Sequence, residues 1–157
     1  MHELAQVNVA VLRASLSSPE LRTFAFVFDG VAQLADRSPG FVWRLKAQNG
    51  HATAVAREGC DLMVNLSVWR DYASMHKFTY SSPHGRMVMR RSEWFLPTPR
   101  PSTALWWVAA GHRPTVEEAL TRLEFLRRYG PSPRAFSLRR QFDAEGRPVR
   151  RARQVRR

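Results

Sequence analysis

The chain has 157 residues, 44% of them hydrophobic, which suits one domain with one core. No run of about 18 apolar residues occurs, so a membrane span is not expected. Cys60 is the single cysteine, which excludes an internal disulfide and any paired-cysteine metal motif. The net charge of +12 points toward anionic partners, but six arginines and no acid are gathered in "RPVRRARQVRR", residues 147–157. That end lacks the apolar residues that offset ordering entropy. The expected organisation is one domain over residues 1–142 and a basic disordered tail over 143–157, solvated and capable of weak phosphate contacts with nucleic acid. The N-terminus carries Glu3 early and no apolar run followed by a cleavage site, so it reads as mature protein with the cytoplasm as compartment.

Residues 5–13, "AQVNVAVLR", alternate. Val7, Val9 and Val11 share one face and Gln6, Asn8 and Ala10 the other, which is a strand. Ser18 as N-cap and Pro19 at the first helical position then open a helix. Its stripe is Leu21, Phe24, Phe28, Val31 and Leu34, and Ser38-Pro39-Gly40 ends it. Strands are expected at 41–48 and 62–70, joined by a polar loop that begins at Asn49-Gly50. "DYASMHKFTY" is a short helix and Ser81-Ser82-Pro83 resets the chain. A further helix covers 84–95, and "PTPRP" breaks it. Residues 103–111 form a strand. Thr115 and Glu118 form a capping box for a helix with Leu120, Leu123 and Leu126 as its seam and Gly130 beyond its end. "AFSLRRQF" reads as an edge strand.

This order predicts an α+β fold, a ferredoxin-like βαββαβ core with an antiparallel sheet. Both sheet faces carry apolar side chains. Leu62, Val64, Leu66 and Val68 oppose Met63, Asn65, Ser67 and Trp69; Phe41, Trp43 and Leu45 oppose Val42, Arg44 and Lys46. A bare apolar face implies a partner, and the economical partner is a second copy, so a homodimer is expected.

"SPGFVWRL", "VNLSVW", "RRSEWF" and "ALWWVAAGHRPTVEEALTRLEFLRRYGPSPRAFSL" together resemble an uncharacterised bacterial family of unknown function, DUF3291, over most of residues 4–142. That family looks like a member of the dimeric α+β barrel superfamily, which includes the antibiotic biosynthesis monooxygenases. The resemblance implies a core that pairs as a dimeric α+β barrel and an enzyme that oxidises or rearranges an aromatic or polyketide-like molecule, cofactor-free or with haem. A non-catalytic ligand-binding or sensing protein is the alternative. By the same resemblance Asn8 holds the first-strand asparagine position, and Ser67-Val68-Trp69 matches the Ser/Thr-x-Trp that ends the third strand in many relatives. Phe78 falls near the helical tryptophan of haem-degrading relatives, and His84 is displaced from their histidine.

The candidate site centres on the helix over 84–95. At 100° per residue His84, Val88, Arg91 and Phe95 share a face flanked by Met87 and Trp94. One reading is a pocket for a hydrophobic small molecule, walled by Met87, Trp94 and Phe95. His84 is then base or, with haem, axial ligand, and Arg91 an anion clamp. The other is a helix start capped by His84 with a snorkelling Arg91. Asn8 and Gln6 orient substrate, or pair across strands to set register. Arg44 pairs with Asp29 or Asp36, or meets the ligand, and Trp69 completes the substrate-binding set. No metal-ligand spacing, nucleophile elbow or glycine-rich phosphate loop occurs.

Overall fold

The computed structural model describes residues 1–46, 53–57, 60–81 and 91–150. Strand β1 (His2–Leu12) lies at the centre of the sheet. Ser18 has the extended backbone of a cap, but its buried hydroxyl meets no partner among the described residues. Pro19–Leu21 accordingly forms a 3-10 turn, and α1 (Arg22–Asp36) starts only after it. The buried face of α1 is Phe24, Val31, Ala32 and Ala35. Leu34, expected in the stripe, is 44% exposed.

Gly40 turns the chain with φ of 81°, and a Cβ there would run into the Ser74 side chain. The turn can therefore lie flush on the following helix only with glycine in this place. Strand β2 (Phe41–Arg44) follows, then β3 (Thr53–Arg57) and β4 (Cys60–Trp69). β3 occupies five residues of the stretch expected to be a polar loop between the two strands. β4 is ten residues long and β2 covers only its end, from Phe41↔Trp69 to Arg44↔Ser67. β3 covers its beginning, from Thr53↔Val64 to Arg57↔Cys60. An irregularity between Phe41 and Trp43 breaks strict alternation in β2, so Phe41 and Arg44, expected on opposite faces, line the same cavity.

Helix α2 (Tyr72–Ser81) is capped by Asp71, whose Oδ1 accepts the Ser74 N–H at 2.8 Å. Of the helix expected over 84–95, the described part is α3 (Arg91–Trp94). It ends one residue short, because Phe95 enters β5 (Phe95–Leu96), which pairs with Leu12 and Val11. Strand β6 (Thr103–Ala109) pairs along the same edge of β1, and β4 lies on the other edge. The resulting order β6–β1–β4–β2, antiparallel throughout, is the ferredoxin-like arrangement, with β3 and β5 as extensions.

Each sheet face meets helices. Ala5, Val7, Val9, Val64, Leu66, Val68, Ala104 and Trp106 pack against Ala119, Leu123 and Leu126 of α4 (Val116–Tyr129). Thr115 caps α4 by accepting the Glu118 N–H at 3.1 Å. The Glu118 carboxylate does not complete the capping box; it accepts the Trp106 Nε1–H at 3.1 Å and lies 2.7 Å from His112 Nε2. The helix covers this face only in part, since Val9, Val11 and Leu62 line an open groove of about 1030 Å³ beside Leu120 and Phe125. The opposite face meets α1 and α2.

Beyond α4, the expected edge strand joins the sheet by a single bridge, in which Phe136 exchanges backbone bonds with Leu105 at 2.8 and 2.9 Å. Residues 143–150 turn back on Gln141 and Phe142. Asp143 accepts from Arg147 Nε at 2.8 Å, and Val149 N–H donates to Gln141 O at 2.9 Å. Phe142 is buried against Phe136, and its carbonyl accepts the Trp107 Nε1–H at 2.7 Å. Residues 151–157 lie outside the described ones. No described helix is long and apolar enough to cross a membrane.

Truncation after Arg150 should leave the melting temperature nearly unchanged. Truncation after Gln141 removes a buried aromatic ring and should cost about 3 kcal/mol or more. Paired denaturant melts check this; equal stability of the two truncated chains would show that Phe142 is not part of the core.

Candidate functional site

The face of the sheet under α1 and α2 is not uniformly apolar. Ala10 and Met63 lie at one end and Leu4, Trp69 and Leu105 at the other. Between them stand Gln6, Asn8, Asn65, Ser67 and Thr103, drawn from β1, β4 and β6. Strand register places them side by side, with Asn8 opposite both Asn65 and Thr103, and Gln6 opposite Ser67. Period two puts every one of them on the helix side.

The helices do not close on this floor. They leave a cavity of about 460 Å³, within the usual range for small-molecule sites. Its roof is Phe24, Phe28, Val31, Ala32 and Ala35 of α1 with Met75, Phe78, Thr79 and Tyr80 of α2; Phe41, Arg44, Phe95 and Leu138 close the sides. Alanines at 32 and 35 are what keep the roof high, where larger residues would fill the space. The rings of the aromatic wall pack on one another. Phe95 packs edge-on to Phe24 at 5.2 Å, Trp69 stacks on Phe78 at 5.4 Å, and Phe41 meets Trp69 edge-on at 5.4 Å.

Most of the floor's polar atoms are paired. Asn8 Nδ2 donates to Thr103 Oγ1 at 2.7 Å. Trp69 Nε1 donates to Ser67 Oγ at 3.0 Å, and Ser67 Oγ donates to Gln6 Oε1 at 2.9 Å. Asn65 differs: among the described residues its amide makes no hydrogen bond, and it faces the cavity. Asn65 is half-buried, and its amide is available to a ligand. The charged group of the wall is Arg44, which bonds Asp36 through Nε at 2.7 Å and Nη2 at 3.1 Å with a side chain only 12% exposed. Those hydrogen bonds hold the Asp36 carboxyl below the ordinary carboxylate range, against the opposing effect of burial.

A family model for a domain of unknown function, DUF3291, matches residues 3–152. The chain belongs to that family. No curated protein matches it. Among solved structures, the crystal structure of SnoaB, a cofactor-independent oxygenase from Streptomyces nogalater, is similar with a TM-score of 0.46 and 19% identity, over 74% of this chain and 98% of that one.

In this DUF3291 chain the cavity brings together Gln6, Asn8, Arg44, Trp69 and Phe95, all candidate ligand contacts from the sequence. Of the two carboxylates considered for Arg44, Asp36 is the partner. Trp94 does not line the cavity. It is 3% exposed and packs on Phe24, with ring centroids 5.2 Å apart, behind the wall. His84 and Met87 lie outside the described residues, and so does the Arg91 side chain, whose backbone begins α3. The haem alternative rests on His84 and falls outside with it. Among the described residues no group of three or more His, Cys, Asp or Glu could hold a metal ion. Sequence reasoning assigned no role to Asn65, Ser67 or Thr103. The available signal was their polarity on an otherwise apolar strand face, opposite Asn8 and Gln6.

Arg44→Met should let the Asp36 carboxyl rise toward its ordinary value, with Lys46 at 3.8 Å retaining part of the depression. A carboxyl lowered by folding stabilises the native state above its unfolded value, and that contribution is lost as pH falls through the folded value. The variant should therefore lose less stability than the parent on acidification below about pH 4. Carboxyl titration by NMR with urea melts at pH 7 and pH 3 checks both points; an unmoved Asp36 titration would remove Arg44 as the cause.

Proposed function

We propose that this chain is a small-molecule oxidoreductase of the monooxygenase-like kind, acting on an aromatic or polyketide-like substrate in the cavity between the sheet and α1 and α2. The observation that carries the reading is the unpaired Asn65 amide on a polar floor beneath an aromatic roof. Flat aromatic ligands gain dispersion and ring contacts from Phe24, Phe95 and Trp69. Their oxygens require a few placed polar groups, which the floor supplies.

Such a site suits activation of an electron-rich substrate as its phenolate or enolate. A base takes the proton and amide N–H groups stabilise the oxyanion. The electron-rich ring carbon then passes electrons to dioxygen. Collapse of the resulting peroxide, where that carbon bore two hydrogens, leaves a carbonyl on the ring and releases water. A wall that excludes water limits leakage of the reactive intermediate. Asn65 and Asn8 are assigned to the oxyanion, His84 to the proton and Arg91 to the anionic substrate. Trp69, Phe95 and Arg44 shape the wall. Pairing into a dimeric barrel is part of the same proposal, through the open apolar groove beside α4.

Oxygen uptake is the test, with hydroxylated polycyclic ketones as substrates and no added cofactor. Asn65→Leu keeps the volume and removes the donor, and should lower kcat by about 10²–10³. His84→Ala should lower turnover by about 10²–10⁴ with binding nearly intact. Binding without oxygen uptake would replace the enzyme by a ligand-binding protein, and a Soret band in the purified protein would replace the cofactor-free route by a haem route. Sedimentation should give about twice the chain mass of 18.1 kDa; a stable monomer at micromolar concentration would remove the barrel.

A further inference from the structure

We infer that Gln6 is locked in one amide orientation, with its NH2 group turned to the cavity, and so selects ligands that present a hydrogen-bond acceptor oxygen. This inference rests on the cavity being the ligand site, as proposed above. The lock comes from Trp69. An indole N–H is a donor only, whereas a serine hydroxyl has one proton and accepts as well. Trp69 Nε1 donates to Ser67 Oγ at 3.0 Å, and the Ser67 proton goes on to Gln6 Oε1 at 2.9 Å. The direction of the relay is thus set at its first member.

Turning the amide over would bring a second donor to Ser67 Oγ and leave the serine proton with no acceptor among the described residues. Ser67 is 6% exposed and Trp69 2%, and a buried donor left without its protein partner disfavours that state. Gln6 Nε2 makes no hydrogen bond among the described residues and Gln6 lines the cavity; its two protons are what a ligand meets. Asn8 provides the contrast. Its partner Thr103 Oγ1, at 2.7 Å, both donates and accepts, so either orientation of the Asn8 amide is satisfied. Asn8 adapts to a ligand where Gln6 discriminates. Ser67 and Trp69 act here as positioning residues, through Gln6.

The probes are 1-tetralone and tetralin, one bicyclic skeleton with and without a carbonyl, titrated into the full chain. The parent should prefer the ketone by about tenfold, one hydrogen bond in a closed site. In Gln6→Glu the serine proton is still accepted, but a carboxylate oxygen replaces the NH2 group and repels a carbonyl. The preference should vanish or invert while tetralin affinity stays nearly unchanged, an outcome that a merely structural role would not produce. Ser67→Ala frees the amide to turn and should reduce the preference to about threefold or less, by the same conversion. If Gln6→Glu does not fold, Gln6→Met, which has no donor and no charge, should bind the two probes alike. Binding of both probes by the parent with equal affinity overturns the selector and leaves the cavity reading in place. Failure of the parent to bind either overturns both. A full preference retained in Ser67→Ala overturns the relay as its cause.

Discussion

The structure depends on the double pairing of β1. β4 holds one edge of it from Leu4 to Val11, and β6 and β5 hold the other from His2 to Leu12. With no free edge, the strand cannot shift register without breaking two ladders, and a one-residue slip would exchange its faces. Those faces differ in kind. Ala5, Val7 and Val9 join the core under α4; Gln6 and Asn8 enter the cavity floor. The fixed register therefore does two things at once. It seals a core on one side and aligns Gln6 with Ser67, and Asn8 with Asn65 and Thr103, on the other.

The parts of the fold legible in the sequence are those with a clean period. The alternation in β1 and β4, the apolar stripe of α1 and the Thr115 cap of α4 all lead to the ferredoxin-like order. β3 was not legible because "TAVAR" is short and alanine-rich, with weak strand preference. It forms because β4 outruns β2 and leaves backbone groups that another strand satisfies. The same need explains β5. Leu12 and Val11 lie beyond the reach of β6, and the chain leaving α3 meets them at Phe95 and Leu96. Helical counting through residue 95 cannot register that change, since it is made by a strand more than 80 residues upstream.

The site follows the same rule. Asn8 and Trp69 were placed on the right face by alternation alone. Arg44 reached the cavity although alternation set it opposite Phe41, because the irregularity in β2 brings both to one side. Trp94 and Phe95 were read as neighbours on one helix. The switch from α3 to β5 falls between them, so that Phe95 lines the cavity and Trp94 packs behind Phe24. Asn65 went without a role because nothing local distinguishes it. Its meaning lies in what it lacks across the sheet, and only the pairing of its neighbours makes that visible.

That difference also argues for function over packing. Amides and hydroxyls taken out of water are costly unless paired, and apolar residues at these places would give a simpler core with no cavity to maintain. The sheet offsets most of the cost by matching polar residues across strands: Asn8 with Thr103, and Gln6 with Ser67 and through it with Trp69. A purely structural network of this kind would be expected to close on itself, because a half-satisfied one is less stable than an apolar core. Here it stays open at Asn65 and at the Gln6 NH2 group, on the floor under a roof that includes Ala32 and Ala35. Local consistency is broken where a ligand's oxygen would complete the network, and such breaks are where natural sequences put function ahead of stability.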